Sequence, residues 1–213
     1  MRSLVIGASG GIGGAVAEKL GQRGEVVALS RSGAGLDVTD EGSVAAALER
    51  LDGQFDLVFV ATGALGSPEK AIRSLDARAL ADQFAVNAAG PILVLKHALR
   101  LMPRDRRSVF AALSARVGSI GDNGLGGWYS YRASKAALNQ LLRTAAIEVA
   151  RTHRQAVVAS LHPGTVATRF TEGYAHRKVP PETAAANLLA VVDRLTPAES
   201  GGFFDYAGKT IPF

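Results

Sequence analysis

Six short apolar runs recur along the chain: Leu4–Ile6, Val26–Leu29, Leu57–Val60, Val109–Leu113, Val157–Leu161 and Phe203–Phe204. Polar residues hardly interrupt them, as expected of strands buried on both faces rather than one. Longer stretches with apolar residues at helical spacing lie between them: Ile12–Gln22, Glu41–Leu51, Ala77–Met102, Tyr129–Thr152 and Pro181–Leu195. Strands alternating with helices predict a parallel sheet covered on both sides. Because such crossovers are right-handed almost without exception, the expected product is a doubly wound sheet. No repeat, low-complexity segment or linker breaks the pattern, so residues 1–213 are expected to form a single domain.

Composition narrows the chemistry. With 47% hydrophobic and 20% charged residues the chain is globular rather than disordered. It has no cysteine, which excludes disulfides, thiolate zinc sites and cysteine nucleophiles. Its four histidines are scattered without HExxH spacing, so no metal site is expected. The 24 basic and 19 acidic residues leave a mild +5, which suits an anionic cofactor as well as it suits nucleic acid. The densest basic run, Arg104–Arg107, falls between a helix and a strand and is expected to be a solvated turn, so no nucleic-acid partner is predicted. Met1–Ile6 runs straight into a glycine loop, too soon for a signal peptide. No segment approaches the ~20 apolar residues of a membrane span. A cytoplasmic protein with no membrane partner is the expectation.

Gly7-Ala8-Ser9-Gly10-Gly11-Ile12-Gly13 follows the first strand and opens the first helix. Glycines there permit a tight turn and close approach to a pyrophosphate, whose charge then faces a helix N-terminus. Packing alone can also place glycines in such a turn. Cofactor choice is read ~20 residues further on, where NAD-preferring sheets carry an acid for the ribose hydroxyls. This chain has Ser30-Arg31 instead, a hydroxyl and a guanidinium suited to a 2′-phosphate. NADP(H) is therefore the preferred cofactor, with NAD(H) as the alternative. The bland alternative is that Arg31 is a surface loop residue.

Tyr131 and Lys135 stand four apart in a helical pattern and so share one face. Tyrosine, with a pKa near about 10, is a poor acid–base catalyst at neutral pH unless a neighbouring cation favours the phenolate. Alone, a YxxxK spacing is common. It gains meaning from the ordered set around it: the glycine loop, Asp37-Val38, Asn87, a serine after an apolar strand, Tyr131 with Lys135, and His162-Pro163-Gly164-Thr165-Val166-Ala167-Thr168. In that order, over essentially the whole length, the chain resembles the short-chain dehydrogenases/reductases. The segments Ser114–Gly121 and Gly126–Tyr131 look most like the C-factor/sniffer-type group of carbonyl reductase-like members.

The resemblance implies a single-domain α/β Rossmann fold, a doubly wound parallel sheet of about seven strands with helices on both faces. It implies hydride transfer between NADP(H) and the carbonyl or alcohol carbon of a small molecule. Tyr131 would be the general acid/base and Lys135 would bind the nicotinamide ribose. Ser114 would hydrogen-bond the substrate oxygen, and Asn87 would anchor a water linking Lys135 to solvent. Gly7, Ser9, Gly11, Ile12 and Gly13 would cradle the pyrophosphate, Ser30 and Arg31 the 2′-phosphate, and Asp37 and Val38 the adenine. Ala61, Thr62 and Gly63 would contact the adenosine side, and Pro163, Gly164, Val166 and Thr168 the nicotinamide end. A homodimer or homotetramer is implied as well, through the long helices Ala77–Met102 and Tyr129–Thr152.

Three departures from the family pattern stand out. Ala61-Thr62-Gly63-Ala64 lacks the usual asparagine after the fourth strand. Ser114 precedes Tyr131 by seventeen positions, longer than usual; Ser119 is nearer the common spacing, although Ser114 directly ends the apolar strand. Gly7, Gly10 and Gly13 also fit the spacing of epimerase-type relatives, which need a C-terminal substrate domain this chain is too short to supply. Trp128 and Tyr129 line the substrate pocket or pack the interior. His97 and His162 read as structural, and Arg169–Val179, with Gly173, Tyr174 and His176, as a short lid. A rival function is an NADP(H)-binding regulatory or signalling protein with little turnover.

Overall fold

Strand parity explains how the chain packs. In the computed structural model, which describes residues 1–173, 175 and 177–213, the strands are β1 (Arg2–Ile6), β2 (Glu25–Leu29), β3 (Leu57–Val60), β4 (Ser108–Leu113), β5 (Ala156–His162) and β6 (Phe203–Asp205). All neighbours are parallel, in the order β2-β1-β3-β4-β5-β6. Alternate residues point to opposite faces of a strand. Thus Leu4, Ile6, Val58, Val60, Phe110 and Ala112 enter one core, while Val5, Phe59, Val109 and Ala111 enter the other.

The helices are α1 (Gly11–Gly21), α2 (Arg31–Ala34), α3 (Glu41–Glu49), α4 (Ala77–Phe84), α5 (Gly90–Ala98), α6 (Tyr129–Val149) and α7 (Pro181–Arg194). Val44 of α3, Val94 of α5 and Leu138 of α6 fill the first core, and Val16 of α1 and Leu188 of α7 the second. Both layers of a doubly wound sheet are therefore present. Side chains such as Phe59 and Phe110 have no exposed surface, and burying each contributes roughly 1.5–3 kcal/mol. The chain runs outward from β1 to β2, then returns to the other side of β1 at β3. That reversal opens a crevice beyond the C-terminal ends of β1 and β3, the place where open α/β sheets bind ligands.

The sheet has six strands among the described residues, not about seven. Between β2 and α3 the chain spends four residues on α2 and turns at Gly35 (φ 67°), leaving Leu36–Val38 too short to add a strand; Leu36 and Val38 instead bury their side chains in the first core. The helical stretch Ala77–Met102 keeps a helical backbone as far as Leu101 but is not α-helical throughout. Residues Ala85–Ala89 form a π turn between α4 and α5, and Leu99–Leu101 a final 3-10 turn. Pro91 accounts for the break, because it has no N–H to donate to the Asn87 carbonyl four residues back.

Arg104–Arg107 is more than a solvated turn. The Arg107 guanidinium donates to the carbonyls of Val192 (2.6 Å) and Leu195 (2.9 Å), capping the end of α7, while Arg106 pairs with Asp56 at 3.1 Å. No helix among the described residues is long and apolar enough to cross a membrane. Tyr174 and His176, named above in the lid, lie outside the described residues.

Candidate active site

The loop after β1 is shaped by backbone contact. Gly7 adopts φ 86°, and its N–H donates to the Leu29 carbonyl at 2.8 Å. A β-carbon on Gly13 would stand 2.2 Å from the Gly7 carbonyl oxygen, so α1 can rest on this turn only with glycine there. One on Gly11 would stand 2.7 Å from Thr168 Cγ2, which brings the loop after β5 onto the glycine loop. Whereas α3 and α4 start on Asp40 and Asp76, whose carboxylates accept backbone N–H groups at 2.9 and 2.8 Å, α1 starts at Gly10 without a side-chain cap. Ser9 and Gly11 are exposed and Ile12 half-buried beside them.

Ala61-Thr62-Gly63 follows β3 directly alongside. Thr62 Oγ1 is buried without a hydrogen-bond partner among the described residues, and Thr62 Cγ2 approaches Gly7. At the sheet's edge the Ser30 hydroxyl accepts the Gly33 N–H at 3.1 Å, capping α2, and Arg31 is exposed. The Asp37 carboxylate takes the Thr39 hydroxyl (2.7 Å) and N–H (2.9 Å), which hold its pKa below the usual value. Val38 packs against Gly90.

Lys135 lies one turn beyond Tyr131 on α6, and its burial pushes its pKa down to about 7. Its Nζ donates to the Leu113 carbonyl at 2.8 Å and lies 3.7 Å from where a Gly63 β-carbon would stand. Asn87, fully buried in the π turn, binds Ala64 in both directions at 2.8 Å: Oδ1 accepts its N–H and Nδ2 donates to its carbonyl. Nδ2 also donates to Ser134 Oγ (3.1 Å), whose hydroxyl donates to the Tyr131 carbonyl (2.9 Å). Gln83, absent from the sequence-based set, completes this network by accepting from Asn87 and donating to Leu65. Gly63, Asn87 and Lys135 are thus brought together, and Ser134 ties them to the Tyr131 backbone.

The two serines point elsewhere. Ser114 continues the parity of Phe110 and Ala112, so its hydroxyl turns inward and donates to Asn139 Oδ1 at 2.7 Å. Ser119 Oγ accepts the Asp122 N–H at 3.1 Å. The Tyr131 ring lies between Trp128 (centroids 6.2 Å) and Phe170 (5.8 Å). Tyr129, two residues earlier, faces the other side of α6 and lines a separate groove with Ile120 and Arg132.

Beyond β5, Gly164 (φ 77°) lies under the Tyr206 ring, where a β-carbon would come within 3.0 Å. Pro163 is half-buried beside it. Val166 is buried and bridges Val179, and Thr168 caps the turn Arg169–Thr171. Burial, reinforced by Arg116, pushes the His162 pKa down to about 4, so its imidazole is neutral at neutral pH.

Residues 31–202 match a family model described as enoyl-(acyl carrier protein) reductase. The chain is 35% identical to 1-hydroxy-2-glutathionyl-2-methyl-3-butene dehydrogenase of Rhodococcus sp. (strain AD45), across 94% of each chain. It belongs to the short-chain dehydrogenase/reductase family. Another member, C-signal of Myxococcus xanthus, is 34% identical over 67% of this chain and 84% of its own. A solved short-chain dehydrogenase/reductase from Burkholderia multivorans with bound NADP superposes with a TM-score of 0.84 at 27% identity, covering 100% of this chain and 99% of that one. The Sniffer carbonyl reductase of D. melanogaster, at 20% identity and TM-score 0.84, covers the same shares and shares the fold.

Proposed function

We propose that this short-chain dehydrogenase/reductase family member reduces the carbonyl of a small molecule with NADPH, and oxidises the alcohol in reverse, using Tyr131 as proton donor and acceptor. The observation that carries the reading is a buried Lys135, one helical turn after Tyr131, whose Nζ lies between the Leu113 carbonyl and Gly63. The residues present fit a dinucleotide. The Gly7–Gly13 turn exposes Ser9, Gly10 and Gly11 at the uncapped start of α1, where a helix N-terminus suits a pyrophosphate. The Thr62 hydroxyl, without a hydrogen-bond partner among the described residues, and the exposed Arg31 fit the adenosine side and its 2′-phosphate. NADP bound to the Burkholderia multivorans relative supports the phosphorylated form.

When bound, the nicotinamide supplies the hydride that reaches the carbonyl carbon. Tyr131 gives its phenolic proton to the carbonyl oxygen. Lys135, once beside an oxygen-rich ribose, holds the ammonium form that favours the phenolate left behind. Pro91 has no N–H to give the Asn87 carbonyl four residues back, which makes this oxygen the candidate to hold a water on the path from Lys135 to solvent. Since the Ser114 hydroxyl is directed to Asn139, Tyr131 carries the larger share of oxygen stabilisation. Trp128 and Phe170 flank the phenol, so apolar substituents next to the carbonyl lie against aromatic surface. The test is NADPH consumption across a panel of ketones, aldehydes and quinones, repeated with NADH. Turnover of at least one carbonyl class with NADPH is expected; none with either cofactor would overturn the reading.

A further inference from the structure

Glu69, in the loop after β3, is 7% exposed and meets the start of α6 from some sixty residues away in sequence. Its backbone carbonyl accepts the Trp128 N–H at 2.7 Å. Its carboxylate accepts the Ser130 N–H (3.3 and 3.4 Å) and a short hydrogen bond from the Ser130 hydroxyl. Burial opposes ionisation, but the hydrogen bonds from Ser130 together with the one from the Glu69 backbone N–H outweigh it and keep the carboxyl below its ordinary pKa. An ionised carboxylate therefore meets the N-terminal end of α6, where backbone N–H groups lack helical partners and negative charge is favourable.

What this contact holds is unusual. Gly126, Gly127 and Trp128 follow one another in the left-handed region, at φ 63°, 64° and 54°. Among the described residues Trp128 is the one non-glycine with positive φ, a conformation that a bulky side chain adopts only where its surroundings impose it. Trp128 has no side-chain cap to offer α6, so the first turn of the helix is fixed from outside, by Glu69. Tyr131 comes three residues after Trp128 and next to Ser130, with its ring against the indole. A displacement of about 1 Å at a reacting group costs on the order of a hundredfold in rate.

We propose that Glu69 is the positioning residue of the catalytic helix: its carbonyl and carboxylate lock the Gly126–Trp128 turn and the first turn of α6, and so fix where the Tyr131 hydroxyl stands. This rests on the assignment of Tyr131 as proton donor. Glu69→Ala removes both side-chain contacts, while Glu69→Gln keeps an acceptor for the Ser130 N–H and hydroxyl. Steady-state reduction of phenanthrenequinone by NADPH, together with NADPH binding by fluorescence, separates positioning from general damage. Glu69→Ala is expected to lower kcat at least tenfold with NADPH affinity within twofold of the parent. Glu69→Gln is expected to recover at least a third of the parent kcat. A parent-like kcat in Glu69→Ala overturns the proposal, as does an equal loss of kcat and cofactor affinity in both variants. Should Glu69→Ala not accumulate as folded protein, Ser130→Ala must lower kcat at unchanged NADPH affinity, and a parent-like kcat there overturns the proposal. Tyr131→Phe run in parallel keeps the two ideas apart: if it turns over normally, the proton-donor assignment fails, whereas an inactive Tyr131→Phe beside a normal Glu69→Ala sinks the positioning role alone.

Discussion

Replacing Lys135 by Met should make the cofactor-free protein more stable while disabling it. Lys135 is 2% exposed, and its pKa falls from 10.5 to about 7 on burial. The unfolded chain keeps this proton up to pH 10.5, whereas the folded chain loses it near pH 7. Between those values the unfolded state binds more protons, so stability rises with pH; below about pH 7 the full penalty applies. Linkage puts that penalty at about 4 kcal/mol at pH 7 and about 2 kcal/mol at pH 9. Met has similar length and no charge, but it forfeits the hydrogen bond to the Leu113 carbonyl, worth about 1 kcal/mol. The net gain for Lys135→Met is then about 3 kcal/mol at pH 7, shrinking to about 1 kcal/mol at pH 9. Urea unfolding of parent and variant at both pH values, followed by far-UV circular dichroism, measures it. A variant less stable than the parent at pH 7, or a gap that does not shrink at pH 9, would refute the reasoning. Carbonyl reduction should fall sharply in the same variant, as expected where a functional group is held at the expense of stability.

Two further outcomes test other parts of the account. Gly13→Ala would place a β-carbon 2.2 Å from the Gly7 carbonyl oxygen and 3.1 Å from Ala61 Cβ. Overpacking of that kind costs roughly 1–3 kcal/mol, visible as a lower thermal midpoint and as weaker NADPH binding. Arg31→Ala should weaken NADPH binding by about tenfold to a hundredfold, the range for a charge-assisted hydrogen bond, with NADH affinity unchanged. Equal effects on both cofactors in titration would remove Arg31 from the 2′-phosphate site.

The inner strands were legible because they are buried on both faces, which leaves an unbroken apolar run such as Leu57–Val60; edge strand β2 is only half-buried, and its run Val26–Leu29 follows the exposed Glu25. Tyr131 and Lys135 were legible because helical spacing alone places them together. The interruption at Ala85–Ala89 was not, since apolar periodicity continues across it; Pro91 was the available signal. The direction of Ser114 could have been read from strand parity, because it continues the face of Phe110 and Ala112. Gln83 and Glu69 left no local trace. A polar residue's burial depends on partners remote in sequence, here Leu65 and Ser130, which spacing along one element does not reveal.

The central claim is that Tyr131 delivers the proton. Single-turnover oxidation of NADPH by a carbonyl substrate, followed at the nicotinamide absorbance in the parent and in Tyr131→Phe, tests it most directly. A rate lower by about 10²–10⁴-fold is expected, the usual contribution of general acid–base catalysis, with NADPH affinity within twofold of the parent. A Tyr131→Phe variant that oxidises NADPH at the parent rate would contradict it.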